Sequence, residues 1–68
     1  MDLDTLTKRE REVFAAILDG VGGTKALGQR LAISPKTAEV HKARLLAKLK
    51  ARSSVELLAA VIRERGLA

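Results

Sequence analysis

Three glycines, a threonine and a lysine stand together at the start of GVGGTKALGQRL, Gly20 to Leu31. Such a group ahead of a helix is chemistry for holding phosphate. A nucleotide-binding loop needs the order G-x-x-x-x-G-K-[ST], in which backbone N–H groups wrap the phosphates, the lysine reaches in and a hydroxyl holds magnesium. Here Thr24 precedes Lys25, and no apolar β-branched run supplies a strand to aim the loop. A mononucleotide is set aside, which leaves a flexible turn between helices or a helix N-terminus offered to another phosphate. Other site chemistry is scarce. With no cysteine and a single histidine, disulfides, thiolate catalysis and Cys/His metal sites are excluded. No nucleophile stands beside a base and no carboxylate pair suggests a cleft, so no enzyme, metal or cofactor is expected, nor a small-molecule ligand.

The second chemical resource is positive charge. Lys and Arg outnumber Asp and Glu 13 to 8, and the excess is not spread evenly. Lys36, Lys42, Arg44, Lys48, Lys50 and Arg52 fall in one segment with Glu39 as its single acid, whereas the rest of the chain holds seven cations and seven anions. A stripe of one sign confined to one element is the electrostatic footprint of a nucleic-acid binder. A merely solvated helix face would carry interspersed acids for i,i+4 pairing.

Size and hydropathy bound the class. A chain of 68 residues makes one small domain, 1–68, and buries only about 60% of the surface its unfolded form exposes. A partner that covers more apolar surface would help it. The longest apolar run, VELLAAVI, contains Glu56 and falls far short of the roughly 20 residues that span a bilayer. MDLDTLTKRERE is no signal peptide. A cytoplasmic protein without membrane contact is expected.

Four helices must position these groups, in an all-α fold with helices at about 8–19, 25–31, 35–50 and 54–65. Thr7 and Glu10 form the T-x-x-E capping box of the first; Val13, Phe14, Ile17 and Leu18 make its apolar stripe and Gly20 ends it. Phe14, the sole aromatic residue, reads as core, so stacking on single-stranded bases loses its usual tool. Thr24 can cap the second helix, where Leu27 and Leu31 share a face. Gly28 inside it costs about 1 kcal/mol against alanine and implies that another backbone passes close by. Ala32-Ile33 make a tight turn, and Ser34-Pro35 start the third helix as cap and first residue. On that helix Ala38, Leu45 and Leu49 face the core, with His41 and Leu46 on the shoulders. Lys36, Glu39, Val40, Ala43, Arg44, Ala47 and Lys50 lie opposite, and Lys42, nearer the core side, must snorkel outward.

Ser53-Ser54-Val55-Glu56 repeats the capping box ahead of the fourth helix, and Gly66 sits at its C′ position, where Leu67 would touch Ile62. Val55, Leu57, Leu58, Ala59, Ala60, Val61 and Ile62 spread round more of this helix than the arc of about 100° that a one-sided amphipathic helix needs. Either the helix is sunk in the core, or one side packs on the domain and the other on a second copy.

Two helices joined by a tight turn, with Gly28 in the first, Ile33 in the turn and a basic second helix, define a helix-turn-helix, whose second helix enters the major groove. The phosphate facing Thr24 and Lys25 is then that of duplex DNA. LTKREREVF, TKALGQRLAIS, SPKTAEVHKARLLAKLKARS and a last helix ending in RGL resemble the LuxR/GerE-type DNA-binding domain found at the C-terminus of NarL- and FixJ-like response regulators. The resemblance runs from Leu6 to Leu67 and is most specific in S-x-x-T-x-x-x-H-x-x-x-L-x-x-K-L, met by Ser34, Thr37, His41, Leu45, Lys48 and Leu49. It implies a four-helix transcription regulator that reads bases with its third helix and dimerises through its fourth. The turn Gly22-Gly23-Thr24 is one residue longer than the family pattern, and Ala38 stands where valine is usual.

Residue roles follow. Val40 and Ala43 suit thymine methyl groups, and Glu39 either accepts from a cytosine amino group or pairs with Lys36 or Lys42. Lys25, Lys36, Thr37, His41, Lys42, Arg44 and Lys48 are assigned to phosphates, with packing the alternative for His41. Val55, Leu58, Ala59 and Ile62 are assigned to the homodimer. The expected partner is double-stranded DNA, with RNA polymerase a further candidate. A promoter-binding module like the fourth region of a sigma factor, or a helical protein-interaction domain with a basic face, are the competing readings. Family members carry a receiver or ligand-binding domain ahead of this one, so a stand-alone regulator and an excised piece both remain open.

Overall fold

The computed structural model describes residues 3–66. Four helices follow one another, α1 (Lys8–Leu18), α2 (Thr24–Leu31), α3 (Pro35–Lys48) and α4 (Ser54–Glu64), with no strand among the described residues. The all-α fold and the order of its helices agree with the sequence reading; the ends of α1, α3 and α4 come one or two residues earlier.

Local chemistry explains those ends. At α1, Thr7 Oγ1 accepts from the Glu10 N–H at 3.2 Å and Glu10 Oε1 accepts from the Thr7 N–H at 2.9 Å, the full capping box. The helix stops in a Schellman turn: Gly20 takes φ +91°, its N–H donates to the Ile17 carbonyl, and the Val21 N–H donates to the Ala16 carbonyl. Helices α2 and α3 end in the same pair of bonds without glycine. Ala32 and Lys50 each adopt φ +57°, and the N–H groups of Ile33 and Ala51 donate back to the Gly28 and Leu46 carbonyls. The left-handed turn at Lys50 is what halts α3 at Lys48.

Two caps differ from expectation. Gly23, extended at φ −79° and ψ 148°, is the cap of α2, and Thr24 is already helical, so its hydroxyl caps nothing. At α4 Ser53 Oγ accepts from the Glu56 N–H at 3.1 Å, but the return bond, from the Ser53 N–H to the Glu56 carboxylate, is not made. The contact expected between Leu67 and Ile62 lies outside the described residues.

The core is assembled from Leu6, from Val13, Ala16 and Ile17 of α1, Leu27 of α2, Ala38 and Leu45 of α3 and Leu57 of α4. Helix α1 is turned so that Ala16 faces inward; Phe14 is half-buried and Leu18 is exposed, against the stripe read from the sequence. A small residue at the contact lets its neighbours approach closely. The tightest approach is at Gly28, where a Cβ would sit 2.7 Å from the Ile33 carbonyl oxygen and 3.2 Å from the Pro35 nitrogen. Here α2 presses against the turn that launches α3.

One buried group is charged. Glu10 is 2% exposed, and its Oε1 receives Lys48 Nζ from the end of α3 at 2.7 Å while the same ammonium donates to the Thr5 carbonyl at 2.9 Å. The bond from Lys48 and then that from the Thr7 backbone hold the Glu10 carboxyl below its ordinary value, against the opposing effect of burial.

A depressed folded value means that this stabilisation is complete above the unfolded carboxylate's titration and is lost as pH falls through the lower folded value. Urea midpoints are expected to drop as the pH is lowered from about 5. Glu10→Gln should cost roughly 1–3 kcal/mol at neutral pH and flatten that acid limb; an identical limb in the variant would refute the assignment. At the turn, Gly28→Ala should destabilise by roughly 1–3 kcal/mol, whereas Ala32→Gly should stabilise by about 1 kcal/mol. Thermal unfolding of the pair reads both signs.

Candidate nucleic-acid interface

Helix α3 has two chemically distinct sides. Ala38 and Leu45 are fully buried, and Leu46, Leu49 and His41 fringe them, half-buried. Lys36, Glu39, Val40, Ala43, Arg44, Ala47 and Lys50 are all exposed, the partition that 100° steps along the sequence give. Val40 shows 41% of its surface on this otherwise charged side. Ser34 fixes the start: its Oγ accepts from the Thr37 N–H at 3.1 Å and donates to Thr37 Oγ1 at 2.8 Å. The Thr37 hydroxyl proton remains available to an acceptor outside the fold.

The cations divide by role. Lys42 does not snorkel outward; its Nζ donates to the Gly22 carbonyl at 2.7 Å and ties α3 to the turn before α2. A half-buried stem needed a nearby acceptor, and the glycine-rich turn supplies a carbonyl with no side chain in the way. Lys48, also assigned to phosphate from the sequence, spends its ammonium on Glu10 and Thr5. Its reason is equally plain: the buried carboxylate needs a counter-charge. Lys25, Lys36 and Arg44 are exposed and make no ion pair or side-chain hydrogen bond with any described residue. Elsewhere Arg9 pairs with Glu12, and Arg30 of α2 pairs with Asp19.

The first turn of α2 thus offers an unpaired cation, and the outer side of α3 offers two more with a threonine hydroxyl and two apolar side chains, Val40 and Ala43. Lys25 lies in the first turn of α2, where N–H groups without intrahelical partners point outward. The described residues contain no group of His, Cys, Asp or Glu able to hold a metal ion. No described helix is long and apolar enough to cross a membrane.

A second exposed surface belongs to α4. Leu57 is fully buried, while Val55 is 76% and Ile62 43% exposed, and Ala59 is exposed between them. These residues, spaced i, i+4, i+7, stand opposite Leu57 on the helix. Leu58 differs: it is half-buried and packs against the core, so it belongs only marginally to this stripe.

Sequence reasoning missed the burial of Glu10 and the inward ties of Lys42 and Lys48. A signal existed, since Glu10 precedes Val13 by three and Ile17 by seven residues and so falls on the core-facing stripe. It also left unnoticed a shallow cleft of about 280 Å³ lined by Leu3, Phe14, Val61, Glu64 and Arg65.

Residues 4–61 match the family model described as bacterial regulatory proteins, luxR family. The transcriptional regulatory protein FixJ of Rhizobium meliloti is 45% identical over 56 residues, which cover 82% of this chain and 27% of that protein. UhpA of Salmonella typhimurium, also a transcriptional regulatory protein, is 46% identical over 54 residues, 79% of this chain and 27% of UhpA. The nitrate/nitrite response regulator NarL of Escherichia coli is 38% identical over 64 residues, 94% of this chain and 29% of NarL. The chain therefore spans between a quarter and a third of the length of these relatives. No solved structure matches it. An all-helical domain with a glycine-pinned helix-turn-helix, matched over most of its length, belongs to the luxR family of bacterial regulatory proteins, a class of DNA-binding transcription regulators rather than of enzymes.

Proposed function

We propose that the chain binds a two-fold-symmetric DNA duplex as a homodimer, with α3 in the major groove and α2 laid across the backbone. The observation that carries the reading is the division of cations on α3. Lys42 and Lys48 are tied to acceptors within the fold, while Lys36 and Arg44 flank the apolar pair Val40 and Ala43 on an open face. Phosphate contacts then come from Lys25, Lys36, Thr37 and Arg44, which position the helix. His41, half-buried on the shoulder of α3, is a packing residue with at most an edge contact to the backbone. Val40 and Ala43 meet thymine methyl groups, and Glu39 meets a base edge.

The second copy packs on Val55, Ala59 and Ile62. This apolar stripe faces away from Leu57 and stays exposed among the described residues, and a two-fold pairing of α4 would cover it with the same stripe. Two α3 helices related in this way would read half-sites about one helical turn apart.

Binding to a duplex should weaken steeply with salt, and Arg44→Ala should weaken all sequences alike while lowering the slope of log K against log salt by about one. Val40→Ala should cost a selected site roughly 1–3 kcal/mol and leave random DNA nearly untouched. If the ratio of selected to random affinity stayed the same, Val40 would not touch a base. For the dimer, Val55→Asp is the informative change, because an acid in the first turn of a helix is favoured by the helix dipole. Sedimentation should shift toward monomer with full helical circular dichroism; an unchanged mass would remove α4 from the interface.

A further inference from the structure

Glu39 is out of place on a surface that faces DNA. It lies on the exposed side of α3 beside Val40 and Ala43, among cations, yet its carboxylate makes no hydrogen bond or ion pair with any described residue. The obvious partner is withdrawn. Lys42, three residues on, donates its ammonium to the Gly22 carbonyl at 2.7 Å, and Lys36, three residues back, forms no bridge to it. A free anion on this face opposes every phosphate that approaches, at a distance where charges still feel each other across about a Debye length of 8–10 Å.

That repulsion has one chemical remedy in the major groove. Guanine presents two acceptors there, N7 and O6; thymine presents the O4 acceptor; adenine sets its N6 amino donor beside the N7 acceptor. Cytosine alone shows its N4 amino donor with no acceptor next to it on the same base. A carboxylate is acceptor-only when ionised, so it is satisfied at cytosine and repelled, wholly or in part, at the other edges.

We infer that Glu39 is a specificity-determining residue that works mainly by exclusion: it weakens binding to DNA in general and is relieved only where a cytosine in the cognate half-site offers its amino group. The inference rests on the groove-binding reading above and adds a base and a sign to it. Discrimination built by penalising the wrong partner is a general device of specific interfaces. Val40 and Ala43 add attraction at neighbouring base pairs, whereas Glu39 subtracts affinity at all sites but one kind.

The test is Glu39→Gln, which keeps the shape of the side chain, removes its charge and sits on an exposed position that the fold does not use. Affinity for random duplex should rise roughly 3- to 10-fold as the repulsion disappears. The ratio of selected-site to random affinity should fall roughly 5- to 100-fold, the range expected when a base-specific pair is lost. Selection from random duplexes should recover cytosine at one position of each half-site with the unaltered chain. With Glu39→Gln it should recover adenine there, since glutamine pairs with adenine N6 and N7. Equal changes for selected and random DNA, or the same base preference with either residue, would overturn the role of Glu39 while leaving groove binding intact. Failure of the unaltered chain to bind any duplex would instead remove the reading beneath it, and this role with it.

Discussion

The attachment of α3 depends on a single buried carboxylate. Glu10 closes the cap of α1 through Thr7 and at the same time holds Lys48 at the far end of α3. One side chain therefore sets both where α1 starts and how the C-terminal end of α3 lies across it. At the other end of α3 the constraint is steric, because Gly28 lets the backbone of Ile33 and Pro35 come closer than any side chain would permit. Between these two points Ala38 and Leu45 supply the apolar contact. With a thin core and 68 residues, a rod fixed at both ends is how a small protein holds one helix rigid toward a ligand.

That arrangement divides positive charge between two tasks. Lysines whose stems run along the protein, Lys42 and Lys48, find acceptors in it, and their cost of ordering is offset by charge-assisted hydrogen bonds. Lys25, Lys36 and Arg44 point away and find none. The formal charge of α3 thus overstates what the helix offers outside, and where the open cations sit matters more for steering a polyanion than their number does.

Much of the fold was legible in the residues because its determinants are local. Thr7 with Glu10, Gly20, Ser34 with Pro35 and Gly66 each act within one turn of chain, and the helix boundaries they predict are met to within two residues. The partition of α3 was equally readable, since a period of 3.6 is all it requires. What escaped was non-local or geometric. Nothing near Lys48 announces that Glu10, 38 residues earlier, will be buried beside it, and nothing near Lys42 says that the Gly22 carbonyl will come within reach. Thr24 looked like a cap because its type is right, but the backbone angles of Gly23 took that position. Leu58 and Leu18 show the same limit from the apolar side: hydropathy alone does not say how far a helix is rotated about its axis. The proposed dimer and base contacts rest on exposed chemistry alone, Val55, Ala59 and Ile62 on α4 and Val40 and Ala43 on α3, because any surface that met them would belong to another molecule.

The outward residues of α3 owe nothing to the interior. Among the described residues the side-chain bonds that tie the helix to the rest of the fold leave from Lys42 and Lys48, Ser34 caps its start, and its packing comes from the buried apolar side, so Lys36, Glu39, Val40, Ala43 and Ala47 can change without disturbing any of them. Mutational drift there is free of the usual penalty of unfolding. The outer face can therefore vary in single steps that each leave a folded protein behind, whatever that face meets.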